Sequence, residues 1–274
     1  MKISFIIVNY NTRHCLEKCI ISLLNNVKNA KFEIIVVNNE EKEISDIIKD
    51  ANVIPGLCVI EINENVGFGR ACNVGAKKAT GEILCFLNPD AEVISKNINK
   101  IIEEIDNDSS VGVIGPRIME KSGAVQPWSA GRELTFVDLM RNNLGFPKSK
   151  KIWECDEKQH VDWVTGAALF SRKETFHEIE GFDENFFLYF EDIDLCKRVR
   201  VSGKKVVHFP HFQIIHAGGE SMSSEKKQKE YYYASQDYYF KKHFGTPTSF
   251  LVKVCRLVYT KAQHIANKAK QLLR

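Results

Sequence analysis

Ile3–Val8 (ISFIIV), Phe32–Val37 (FEIIVV), Leu57–Ile62 (LCVIEI) and Glu82–Leu87 (EILCFL) are short runs rich in β-branched and aromatic residues. Runs of this length with almost no polar interruption predict strands covered on both faces. Between them lie segments of helical spacing. In Arg13–Val27 the apolar positions are Leu16, Cys19, Ile20, Leu23, Leu24 and Val27, with Thr12 as the expected N-cap. Glu43–Lys49 reads as a short helix, Val66–Ala79 as a glycine-rich one and Asn97–Ile105 as another, followed by a strand at Val111–Ile114. Strands alternating with helices predict an α/β fold, a mostly parallel, doubly wound sheet. Ligands of such sheets bind at the carboxyl ends of the strands. The polar ends Asn9-Tyr10-Asn11, Asn38-Asn39, Asn63–Asn65 and Asn88–Asp90 are therefore expected along one edge.

Glu120–Gln159 carries Gly123, Pro127, Gly131, Gly145 and Pro147 and is expected to be a long loop or lid. Order returns with a strand over Val161–Phe170 and a short helix near Lys173–Ile179. A helix then runs to about Val201, with strands near Lys205–Phe209 and Phe212–Ile215. Helices are expected from about Glu225 to His243 and from about Ser249 onward.

The net charge of +3 is too small to argue for a nucleic-acid partner. The eight cysteines include no CxxC pair, which suggests buried, reduced thiols and a cytoplasmic setting. His14, Cys15 and Cys19 place two metal-ligand types on one helix face, but no second pair accompanies them. MKISFIIVNYN has too short an apolar core for a signal peptide, and no run of about 18 apolar residues predicts a membrane span.

Four places carry chemistry. Asp90, leaving a buried strand in FLNPD, is suited either to a phosphate-bridging cation or to an Asx turn. His216 ends an apolar strand before two glycines; it is either a surface-loop histidine or a group near phosphates, and imidazole with carboxylate suits Mn2+ better than Mg2+. In FFLYFEDIDL, Glu191, Asp192 and Asp194 follow an aromatic run at a helix start. Any one of them could cap the helix, yet three exceed what a cap needs. Asp194 and Arg198 are spaced as an i,i+4 pair, which leaves Glu191 and Asp192 for proton transfer. In ENVGFGRACNVG the glycines serve either phosphate contact or close helix packing.

Taken in order, IIVNYN, NVGFGRACNVG, LNPDAEV, VDWVTGAALFSR, GFDENFFLYFEDIDL and HAGGES resemble the inverting family-two glycosyltransferases of GT-A type fold, in particular their bacterial rhamnosyltransferase-like branch. The resemblance runs from Ile3 to about Ser221. It implies a GT-A domain over residues 1–220, with a nucleotide-binding half to about 118 and an acceptor half over about 160–220, then a helical extension over 221–274. It implies a nucleotide-binding set of Val8, Tyr10, Asn38, Asn65, Gly67, Arg70 and Asn88, and a donor/acceptor wall of Trp163, Thr165 and Gly166. Asp90 and His216 would hold a divalent cation, Mn2+ or Mg2+. Asp192 would act as base, with Glu191 beside it. The implied partners are a nucleoside-diphosphate sugar and a glycan or lipid-linked acceptor.

Two positions depart from the family pattern. VVNN stands where VVDN is common, and Asn88 takes the first acidic place of the DxD motif. The second departure removes one charge and predicts weak cation binding without the diphosphate. Two other readings compete: a nucleotidyltransferase, which would need a glycine-rich basic loop where NYNTRHCLEK stands, and a non-catalytic nucleotide-sugar-binding protein, which would be expected to have lost Asp90, Asp192 or His216.

After Asp237 no acidic side chain follows, while basic residues alternate with Phe250, Leu251, Val254, Leu257, Val258, Ile265, Leu272 and Leu273. Such a helix fits an anionic membrane surface, the inner face included, or packing on the domain or on a second subunit.

Overall fold

The computed structural model describes residues 1–44, 54, 56–147, 149–218 and 224–272, with side chains to 261. The expected helix at Glu43–Lys49 falls mostly outside them. Strands β1 (Lys2–Asn9), β2 (Lys31–Asn38), β3 (Leu57–Glu61), β4 (Ile83–Leu87), β5 (Ala91–Val93), β6 (Val111–Met119), β10 (Ala168–Arg172) and β11 (Lys205–His216) form one sheet, ordered β3-β2-β1-β4-β10-β6-β11-β5. A ninth strand, β8 (Gln159–Val161), pairs with β11, while β7 (Ala130–Gly131) and β9 (Trp163–Val164) make a separate ribbon. β1, β2, β3 and β4 run parallel, as do β6 and β11; β5, β8 and β10 are antiparallel.

Both faces of the sheet are covered, as the unbroken apolar runs require. On one face Phe5, Ile7, Ile34 and Val36 pack with Leu16, Cys19 and Leu23 of α1 (Arg13–Asn26) and with Ile101 and Ile105 of α3 (Asn99–Asn107). On the other, Ile6, Val8, Ile35 and Val37 meet Ala71, Cys72 and Ala76 of α2 (Phe68–Lys78) and Leu195, Cys196 and Val199 of α7 (Glu191–Val201). Period-two alternation thus splits each strand between two cores.

Four expectations are corrected. The single strand over Val161–Phe170 is three short pieces, because Asp162–Ala167 leaves the sheet to build the β7–β9 ribbon and a wall of the cavity described below. The two strands over Lys205–Ile215 are one, with a register irregularity between Phe209 and Gln213. Glu120–Gln159 is not a bare loop: it contains α4 (Phe136–Asn143), whose cap Thr135 accepts from the Asp138 N–H, and α5 (Lys150–Trp153). Thr12 makes no side-chain cap to α1; its hydroxyl donates to Asn9 Oδ1.

The last element, α8 (Glu225–Leu272), is interrupted at Gly245, whose φ of 84° breaks the helical path near where two helices were expected. Its first arm packs Tyr239 and Phe240 against Phe186, Phe190 and Leu139. Fully burying side chains of this size is worth about 1.5–3 kcal/mol each. That offsets the cost of Tyr189 and Phe190, which hold left-handed φ values of 69° and 65° just before α7.

Candidate active site

A cavity of about 700 Å³ opens at the carboxyl ends of the strands, a volume suited to a small-molecule ligand. Val8, Tyr10, Asn65, Gly67, Asn88, Asp90, Trp163, Thr165, Gly166, Glu191, Asp192 and His216 all line it. Two candidates do not. Asn38, the last residue of β2, is fully buried; its Oδ1 accepts from Asn9 and its amide donates to Glu61 and to the Lys42 carbonyl. Its neighbour Asn39 lines the cavity instead, because consecutive residues at a strand end point to opposite sides. Arg70 is half exposed and paired with Glu184 at 3.4 Å.

Gly67 and Gly75 of NVGFGRACNVG both serve close packing, and Gly67 also lines the cavity. Gly67 precedes α2 with φ +89°, and a Cβ there would lie 2.6 Å from the Phe187 carbonyl oxygen. A Cβ on Gly75 would meet Ile6 Cγ2 at 2.5 Å, so that glycine lets α2 close on β1. Asn65 Oδ1 accepts from Gly67 N–H and from Asn39 Nδ2, which shapes the turn beside the cavity.

Asp90 Oδ1 lies 3.2 Å from His216 Nε2 because β5, starting one residue after Asp90, pairs with the end of β11. Gln126 Oε1 sits 2.9 Å from His216 Nδ1, and Asn88 Nδ2 lies 3.2 Å from Nε2. An amide oxygen only accepts, so Gln126 takes the His216 Nδ1–H and leaves Nε2 turned toward Asp90 and Asn88. Burial works to raise the Asp90 carboxyl, but His216 and the backbone N–H groups of Asp90 and Gly218 outweigh it and hold the pKa below the usual range. The carboxylate and the imidazole nitrogen thus face each other at 3.2 Å, a gap that either a proton on Nε2 or a cation bridges.

A carboxylate oxygen with an imidazole nitrogen suits a divalent cation, Mn2+ better than Mg2+. No group of three or more His, Cys, Asp or Glu capable of holding a metal occurs among the described residues. Any cation at this pair would therefore take its remaining ligands from phosphate oxygens and water. At the other candidate metal grouping, Cys19 is fully buried in the core beneath α1.

Glu191 and Asp192 open α7, and their surroundings assign them different protonation. Asp192 Oδ2 accepts from the Gly166 N–H at 2.7 Å and Oδ1 from the Ile193 N–H at 2.8 Å. Burial raises its pKa while these donors resist the rise. Glu191 is buried and its Oε2 has no hydrogen-bond partner. Burial first, then the neighbouring Asp192, push its pKa well above the carboxylate range. An uncompensated buried carboxylate costs several kcal/mol, which favours the proton on unpartnered Glu191 and the charge on hydrogen-bonded Asp192.

Asp194 is more than half of a helix pair. Fully buried, it bonds Arg198 Nε at 2.7 Å, and also Lys242 Nζ at 2.6 Å and His243 Nε2 at 2.7 Å of α8.

The sequence reading missed Gln126, Trp128, Arg132, Asn142 and the α8 residues Lys227, Gln228, Tyr231 and Tyr232, all but Gln126 part of the cavity wall. Gln126 is presented by a turn at Gly123, its N–H bonded to the Ile118 carbonyl. It lies 90 residues from His216, and no local pattern links the two.

The profile of "Glycosyl transferase family 2" matches residues 4–174, more than half of the chain, and that of "N-terminal domain of galactosyltransferase" matches 148–221. The O-antigen biosynthesis protein RfbC of Myxococcus xanthus is 28% identical over 78% of this chain and 17% of its own. The rhamnosyltransferase WbbL of Escherichia coli is 25% identical over 77% of this chain and 81% of its own. A Mycobacterium tuberculosis N-acetylglucosaminyl-diphospho-decaprenol L-rhamnosyltransferase is 23% identical over 68% and 67%. The chain thus spans about a sixth of the first relative and two thirds of the last. Among solved structures, GalNAc-T7 with UDP, GalNAc and Mn2+ superposes with a TM-score of 0.62 at 18% identity, covering 88% of this chain and 50% of that one. Staphylococcus aureus TarS 1–349 with UDP-GlcNAc gives 0.60 at 20% identity, covering 86% and 65%. With a profile match over more than half its length, this chain belongs to glycosyl transferase family 2 and has the GT-A fold.

Proposed function

We propose that the chain transfers a sugar, rhamnose or another hexose, from a nucleoside-diphosphate sugar to a hydroxyl of a glycan or lipid-linked acceptor, with inversion, in cell-surface polysaccharide synthesis. The observation that carries this reading is that one cavity is lined by the Asp90–His216 pair and by Asp192, whose two oxygens are oriented by backbone donors. The names of the relatives, rhamnosyltransferases and an O-antigen biosynthesis protein, support it.

Val8, Tyr10, Asn39 and Asn65 receive the nucleoside, and Trp163, Thr165 and Gly166 form the wall beside the sugar. Asp192 removes the proton of the acceptor hydroxyl as its oxygen attacks the anomeric carbon. The bond to the diphosphate breaks on the opposite side, and its electron pair leaves with the nucleotide. Asp90 and His216 would hold a divalent cation, which would supply positive charge against the leaving diphosphate. Glu191, protonated beside Asp192, adds no second negative charge, while burial keeps the base's proton affinity above that of an exposed aspartate. Free thiols at all eight cysteines fit work in the cytoplasm, where the donor would be met beside the inner membrane face.

A thermal-shift panel of nucleotide sugars, with and without Mn2+, tests the donor assignment. One nucleotide sugar should raise the melting temperature, and more so with Mn2+. No shift from any member, with or without metal, would refute it.

A further inference from the structure

We propose that the loop after α4 and the second arm of α8 form one docking surface for an anionic lipid bilayer. The two segments, about a hundred residues apart in sequence, are held as a unit. Leu139 of α4 and Val252 of α8 share a buried cluster, and the Tyr259 hydroxyl donates to the Asn143 carbonyl. Val252 is fully buried and Arg256, one turn on, reaches back to Asp237, so this side of the arm faces the body. Phe250, Val254, Leu257 and Val258 lie around the opposite side, at 67%, 39%, 60% and 64% exposure. On the loop, Leu144 is 69% and Phe146 72% exposed. Six apolar side chains shared by two elements exceed the scatter of single exposed hydrophobics that ordinary surfaces carry.

The charge around these side chains selects the occupant. The loop reads LGFPKSKK. From Thr246 to Arg274 the sequence holds no Asp or Glu; Lys253 and Arg256 pair with Asp237, and Lys261, Lys268, Lys270 and Arg274 follow them in the sequence. A second copy of this face would set cations against cations, whereas a bilayer bearing anionic headgroups matches both the apolar and the basic parts. No helix among the described residues is long and apolar enough to cross a membrane, so contact would be at the interface. Asn142 and Asn143 both belong to the cavity wall, so the surface borders the cavity. If the transferase reading above holds, a lipid-linked acceptor would reach Asp192 while its chain stayed in the bilayer.

The test is co-sedimentation of the full chain with vesicles of phosphatidylcholine alone and of phosphatidylcholine with phosphatidylglycerol. The chain should partition onto the anionic vesicles and less onto the neutral ones, with binding weakened by salt. Leu144→Ser/Phe146→Ser and Phe250→Ser/Leu257→Ser should each lower the partition coefficient roughly tenfold or more, since each removes two side chains from an apolar contact. Their melting temperatures should match the parent, because all four positions are exposed. Unchanged partitioning in the loop variant, equal binding to both vesicle types, or a dimer in solution that the same substitutions disperse would each overturn the proposal. None of these readouts needs sugar transfer, and the thermal-shift panel judges that reading separately.

Discussion

Replacing Asp194 by alanine removes the carboxylate that ties α7 to α8. The side chain is inaccessible to solvent, and its two oxygens engage Arg198, Lys242 and His243 at 2.6–2.7 Å. Losing one partner of a buried ion pair costs about 3–5 kcal/mol, because the remaining charges stay buried without compensation. Arg198 keeps the Ile179 carbonyl and Lys242 keeps Asp183, so the loss should fall in that range rather than beyond it. For a chain of this size that is a fall of roughly 6–20 °C in melting temperature, at about 2–4 °C per kcal/mol. Urea denaturation followed by circular dichroism measures it. The pH dependence adds a second check. Burial works against the Asp194 charge, but His243, Arg198 and Lys242 prevail and hold its pKa below the usual value. A carboxylate with a lowered folded pKa contributes stability above its unfolded pKa, about 3.9, and loses it as pH falls toward the folded value. The gap between parent and variant should therefore be full at pH 7 and shrink below about pH 4. A variant within about 1 kcal/mol of the parent at pH 7, or a gap that does not change with pH, would refute the reasoning.

Glu191→Gln should shift in favour of the variant, relative to the parent, between pH 4 and pH 8. The parent's unfolded state sheds a proton that its folded state retains, so the parent loses stability as pH rises; a gap independent of pH would show Glu191 ionised in the fold. Gly67→Ala should cost about 3 kcal/mol or more, since φ 89° with ψ 166° is open almost only to glycine and the added Cβ meets the Phe187 carbonyl; a stability equal to the parent's would refute this. Gln126→Leu should weaken Mn2+ binding measured with the nucleoside diphosphate by about 10–100-fold, the usual effect of removing the group that orients a metal-binding histidine. Unchanged affinity would take Gln126 out of that role.

The paired cores were legible because an apolar run such as ISFIIV leaves no polar face for water, and β1 accordingly sends alternate residues to opposite layers. Strand and helix ends left Asp90 open between a cation and an Asx turn and His216 between a surface loop and a phosphate site; it was the family resemblance that grouped them with Asp192, and all three line one cavity. What escaped notice was short or distant. β5, β7 and β9 have three, two and two residues, too few to show a period. α4 is a capped helix of only about two turns, inside a segment whose glycines and prolines suggested a loop. Asn38 and Asn39 are identical side chains in adjacent positions, and only the end of β2 decides which one the cavity receives. The aromatic run before α7 has a partner that no local pattern shows: Phe186 and Phe190 anchor α8, whose Tyr231 and Tyr232 line the cavity from far along the chain.

The most direct measurement compares Asp192→Asn with the parent in two assays, the rate of sugar transfer under saturating nucleotide sugar and acceptor, and the affinity for the nucleotide sugar. Transfer should fall about 10²–10⁴-fold, the usual contribution of a general base, while donor affinity stays near that of the parent. A variant that transfers within tenfold of the parent would contradict the assignment of Asp192 as the group that deprotonates the acceptor.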